Sequence, residues 1–122
     1  MRDLKKIWNE SGLPISEENI RSVFDKADGY RVSVNSYESS TTPFPAYGRA
    51  GLVFVLSGAC TFTTDVETNL VAPNLIFLPE GRHHFAVVGN DEVNVIKIYD
   101  LKAIVEAERA APTKESYRDT GV

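Results

Sequence analysis

Apolar residues recur at two different periods along this chain, and the period changes at Gly29. Before it, Leu4, Ile7 and Trp8 stand at i, i+3, i+4 spacing, which is the stripe of one amphipathic helix. Gly12 and Pro14 end that helix. Ser16 then reads as the N-cap of a second one, with Glu17 and Glu18 near the positive end of its dipole. Ile20, Val23 and Phe24 form its apolar face, and Asp28-Gly29 closes it.

After Gly29 the pattern shortens to runs of three to nine residues rich in apolar and β-branched side chains. Tyr30 to Glu38 reads as a strand, and Ser39 to Gly48 as a Pro-, Ser- and Thr-rich loop. Leu52–Leu56, Ala59–Thr64, Leu70–Ala72, Leu75–Leu78, His83–Val88 and Val93–Tyr99 continue the series. Ser57-Gly58, Asp65 to Asn69, Pro73-Asn74 and Gly89-Asn90-Asp91 supply the turns. Short strands with a turn about every eight to twelve residues predict an all-β sandwich or barrel. Helical spacing returns at Leu101, Ile104 and Val105. The expected organisation is a helical segment over 1–29 packed on a barrel over 30–100, a C-terminal helix over 101–111 and a flexible tail over 112–122.

The 122 residues suit one domain, and 43% hydrophobic against 25% charged residues can bury a core. Thirteen basic and 17 acidic residues leave a net charge of −4 with no cationic stripe, which argues against nucleic acid as a partner. No apolar run approaches the roughly 20 residues needed to span a bilayer, and the N-terminus lacks a signal-peptide core. The expectation is a cytoplasmic protein without a membrane partner. Cys60 is the only cysteine and lies in an apolar phrase, so it reads as a small core residue.

Both histidines lie together in Pro79-Glu80-Gly81-Arg82-His83-His84-Phe85. Neighbours on a strand point to opposite faces, so only one imidazole can enter a given cavity. This segment resembles the second motif of the cupin family, small jelly-roll barrels with a pocket inside. Pro79, Gly81 and His84 match its Pro-x-Gly-x-x-His in register, while Pro73 and Val88 replace its first Gly and its Asn. Gly58 fits the closing Gly of the first motif. Counting back puts Gly51 at that motif's Glu position, and Tyr47 and Pro45 at its two His positions. The resemblance covers residues 30–100 and implies a single-domain cupin-type β-barrel, commonly a homodimer.

The resemblance also implies which residues face inward. In the family's phase, positions 45, 47, 49, 51, 53 and 55 share the inner face. Tyr47 and Arg49 then line the pocket, with Val53 and Val55 deeper, and His84 enters from a facing strand. Lys97 is a further pocket candidate, because Val93, Val95, Lys97 and Tyr99 share one face of their strand and Asn94, Ile96 and Ile98 the other; the pattern does not decide which face is inward. Each residue has a plainer reading: His84 as a hydrogen-bonded interior group, Tyr47 as a core aromatic, Arg49 as a loop cation, and Arg82 and His83 as solvated or at a subunit contact.

Two histidines cannot make a three-His metal site, and neither Glu38 nor Asp65 falls at a motif ligand position. No metal and no cofactor is therefore expected. The function expected is binding of a polar or anionic metabolite. If there is catalysis, it is proton transfer of isomerase or epimerase type, with His84 as acid or base, Tyr47 as its partner, and Arg49, Tyr47, His84 and Lys97 as ligand contacts. A non-catalytic sensing module and a diverged metal-dependent dioxygenase or lyase are the alternatives.

Overall fold

A computed structural model describes residues 1–38, 44–88 and 92–110, with residues 44–47 described by backbone alone. The expected turn at Gly89-Asn90-Asp91, residues 39–43 of the expected loop, the last residue of the expected C-terminal helix and the expected tail over 112–122 lie outside the described residues. Helices α1 (Leu4–Ser11) and α2 (Glu17–Val23) precede a single 3₁₀ turn over Lys26–Asp28. Eight strands follow: β1 (Tyr30–Tyr37), β2 (Phe44–Gly48), β3 (Gly51–Ser57), β4 (Ala59–Thr63), β5 (Glu67–Val71), β6 (Asn74–Leu78), β7 (Gly81–Val88) and β8 (Val93–Asp100). Helix α3 (Leu101–Ala110) continues directly from β8. Among the described residues, no helix is long and apolar enough to cross a membrane.

The strands form two antiparallel four-stranded sheets, ordered β1-β8-β3-β6 and β2-β7-β4-β5. Their facing sides enclose one core, built from Val53, Val55, Cys60, Phe62, Leu70, Leu78, Phe85, Val87, Val93 and Val95. The outer side of the first sheet makes a second core with the N-terminal helices. There Leu4, Trp8, Ile20 and Phe24 cover Leu52, Phe54, Ile96 and Ile98. This double burial explains the unbroken apolar run of β3, in which residues 51–55 are all buried. A strand covered on both faces has no position left for water-loving side chains. The second sheet has only one covered face, so β4 and β5 bury just Cys60, Phe62 and Leu70.

Local chemistry places the helices as the sequence suggests. Asp3 and Ser16 cap α1 and α2, each side-chain oxygen accepting from the backbone N–H three residues on. Gly29 ends the 3₁₀ turn at a φ of 88°. Gly58 turns β3 into β4 at a φ of 80°, and a Cβ there would meet the Glu92 carbonyl oxygen at 2.6 Å. Only glycine meets both requirements. A cis Ala72–Pro73 bond joins β5 to β6.

Three readings depart from expectation. Helix α2 ends at Val23, and only the separate 3₁₀ turn reaches Asp28-Gly29. Strand β5 begins at Glu67, inside the turn read over Asp65 to Asn69. The loop read over Ser39–Gly48 contains strand β2, which pairs Phe44–Gly48 with Gly81–Phe85. Pro45 donates no ladder hydrogen bond, but β2 is at the edge of its sheet, where proline is tolerated.

Candidate cavity between the sheets

A cavity of about 160 Å³ opens between the sheets at one end of the barrel. Val53, Phe62, Leu78, Phe85 and Val95 form its apolar wall. Its polar groups come from Asn35, Tyr37, His83, Lys97 and Tyr99, with the backbone of Gly48 at the rim. A water occupies roughly 30 Å³ of liquid, so the space suits about five waters or one compact metabolite. Among the described residues, no carboxylate side chain lines it.

Strand β8 supplies the amine. Its Val93 and Val95 join the inner core while Ile96 and Ile98 pack under the helices, so Lys97 and Tyr99 face the interior. Lys97 Nζ stands 4.9 Å from the centroid of the Tyr99 ring. Burial holds the Lys97 amine below its ordinary pKa, because a partly desolvated ammonium is disfavoured. Strand β7, on the opposite sheet, supplies the imidazole. His83 packs beside Phe62 with ring centroids 5.7 Å apart. Its pKa is also depressed, by burial first, then by the Lys97 charge and by His84. The Lys97 charge thus disfavours the protonated state of His83.

His84 does not enter this cavity. It is exposed, while Phe85 and Val87 on the same strand are buried. Odd positions of β7 therefore face inward, and His83 shares their side. The tandem pair splits as strand geometry requires, but in the opposite sense to the family's motif register. Arg49 is also elsewhere. It is exposed in the turn between β2 and β3, donating to Glu108 Oε1 at 2.6 Å and reaching Glu80 Oε1 at 3.5 Å. That turn carries the chain from one sheet to the other, so the alternation read from position 45 to 55 is interrupted there. Val53 and Val55 do lie inside. Tyr47 pairs by backbone with Arg82, and its side chain lies outside the described residues. Arg82 is exposed, as read from the sequence.

The cupin resemblance raises the question of a metal. A divalent ion in such a site needs three or four N, O or S donors. Among the described residues, no three His, Cys, Asp or Glu side chains are grouped to hold one. Glu38 and Asp65 are both exposed. The motif's Glu position is occupied by Gly51, where a Cβ would sit 2.9 Å from Lys97 Cε and 2.6 Å from the Ile98 carbonyl oxygen. The Lys97 stem fills the space beside the place where a carboxylate would attach, and its ammonium form repels a cation. These residues do not fit the family's metal.

No protein-family profile matches the chain, and no curated protein matches it. Solved structures do. The cupin domain of Schizosaccharomyces pombe Cnp3 is similar with a TM-score of 0.55 at 10% identity, over 80% of this chain and 63% of that one. A Cupin 2 conserved barrel domain protein from Salinispora arenicola is similar with a TM-score of 0.52 at 12% identity, over 65% and 69%. A cupin protein from Bacteroides fragilis aligns with a TM-score of 0.48 at 21% identity, over 57% and 64%. The match spans less than two thirds of the fission-yeast and Bacteroides chains. The chain has the cupin fold, a double-stranded β-helix barrel. The likeness is one of fold, and the cavity has to speak for the chemistry.

Proposed function

We propose that the barrel binds a compact polar or anionic metabolite between its sheets and exchanges a proton with it through His83. The observation that carries this reading is the gathering of Asn35, Tyr37, His83, Lys97 and Tyr99 around one otherwise apolar space that, among the described residues, has no acidic side chain. A partly desolvated amine beside an imidazole favours a guest that brings an oxygen acceptor, such as a carboxylate, a carbonyl or a hydroxyl. The tyrosines add hydroxyls and flat faces. Imidazole titrates near neutrality and suits isomerase- or epimerase-like transfer. Lys97 and His83 take the roles that the sequence reading gave to Arg49 and His84.

Binding of lactate, pyruvate and inorganic phosphate, followed by amide and imidazole NMR shifts, tests this. At least one of these probes is expected to shift His83 and the residues around Lys97. Lys97→Met is expected to weaken that binding at least tenfold, a loss of ~1.4 kcal/mol, while Arg49→Ala leaves it unchanged. Shifts confined to the outer surface, or binding indifferent to Lys97→Met in a folded variant, would contradict the proposal.

A further inference from the structure

Lys97 is an amine placed where a carbonyl compound would meet it. Its stem passes over Gly51, and its Nζ lies 3.0 Å from where a Gly48 Cβ would be. These two glycines clear its path into the cavity. Among the described residues no carboxylate lies within ion-pair distance of it. The group near it is an aromatic face, and across the cavity stands an imidazole. A lysine meant only to carry charge in a protein interior is normally paired. A partly buried, unpaired lysine is instead suited to act as a nucleophile.

From this geometry we infer that Lys97 forms a reversible imine with a small aldehyde or 2-oxo acid bound in the cavity. The inference rests on the binding reading above. In the step, the Nζ lone pair attacks the carbonyl carbon and the C=O π pair moves to oxygen, which takes a proton. The nitrogen gives up one proton. The hydroxyl then takes a second proton and leaves as water while the nitrogen pair closes the C=N bond. One water departs and one proton is taken up from solvent for each iminium formed, and no oxidant or reductant takes part. His83 is the group positioned to take and return these protons. The depressed basicity of Lys97 keeps a larger fraction of the amine neutral near pH 7 than at an exposed lysine. The iminium draws electrons from the adjacent carbon and acidifies its C–H. Loss of that proton to His83 and its return give the proton transfer proposed above.

The experiment uses the unaltered protein with glyoxylate and pyruvate as separate probes and cyanoborohydride as the trap. Peptide mapping by mass spectrometry then locates the reduced adduct. The expected result is modification of Lys97 at least tenfold faster than of the exposed Lys5, Lys6, Lys26 and Lys102. With pyruvate in D₂O, methyl proton exchange above the uncatalysed rate is also expected, falling at least tenfold in His83→Gln. Modification spread evenly over all lysines, or absent at Lys97, overturns the inference. If lactate and pyruvate still shift His83 in that case, the imine fails and the binding reading stands. If none of lactate, pyruvate and inorganic phosphate shifts it, both fail.

Discussion

Replacing Trp8 by Ala is expected to lower stability by ~3–5 kcal/mol, the range for truncating a buried aromatic residue. Trp8 is 4% exposed and joins the helices to the sheet. Its ring meets Phe54 edge-on at 4.9 Å and stacks on Phe24 at 6.4 Å. Phe24 in turn meets Tyr30 edge-on at 5.2 Å. The indole therefore spans α1, α2 and β3, and its removal leaves a void that the sheet's backbone cannot close. For a domain of this size each kcal/mol moves the melting temperature by about 4 °C, so thermal unfolding followed by circular dichroism should shift down by ~12–20 °C. A shift under ~4 °C would mean that the helices do not cover the sheet as described.

The second large effect is expected at Asp100. Its side chain is 1% exposed and accepts four hydrogen bonds: from the backbone N, Nε and Nη2 of Arg2 and from the backbone N of Ala103. It ties the start of the chain to the end of β8 and caps α3. The Arg2 guanidinium also lies 4.0 Å from the Tyr30 ring centroid and donates to the Asp28 carbonyl. Asp100→Asn keeps the shape but turns a donor toward these donors. With Arg2 partly open to water, the expected loss is ~2–3 kcal/mol at pH 7.

The pH dependence has a definite sign. Hydrogen bonding from the Arg2 side chain, foremost, holds the Asp100 carboxyl well below the usual carboxylate range. Its contribution is therefore complete above its unfolded pKa of about 3.9 and fades as pH falls toward the folded value. Urea unfolding should show the difference between wild type and Asp100→Asn intact from pH 5 to 8 and shrinking below about pH 4. A difference that grows on acidification would contradict the ion pair.

The elements that were easiest to read are those whose faces differ in exposure. Ser16 followed by Glu17, Glu18 and the Ile20–Phe24 stripe marked α2 because one face meets the sheet and the other meets water. Strand β8 was legible as a strand but not as to which side is inward. Val93 and Val95 line the barrel while Ile96 and Ile98 meet the helices, and both faces exclude water. That is why the pattern of β8 leaves the side of Lys97 open, and only the packing of both faces decides it.

His83 carried a usable signal that the motif register overrode. The large apolar Phe85 lies two residues on, on the same side of the strand, and a bulky aromatic is a better witness to the inner face than a matched spacing. Arg49 was misplaced because alternation was carried through a turn between two sheets, where the pleat is not continuous.

Separating the two imidazoles tests the central claim most directly: one face of β7 lines a cavity shared with Lys97, and the other meets solvent. Proton NMR titration of both histidines in wild type and in Lys97→Met does this. His83 is expected to titrate below the ordinary 6.5, and burial makes the protonated ring the disfavoured form. Removing the Lys97 charge is expected to raise the His83 pKa. If instead the His83 pKa does not respond to Lys97→Met in a folded variant, His83 and Lys97 do not share a cavity and the account is contradicted.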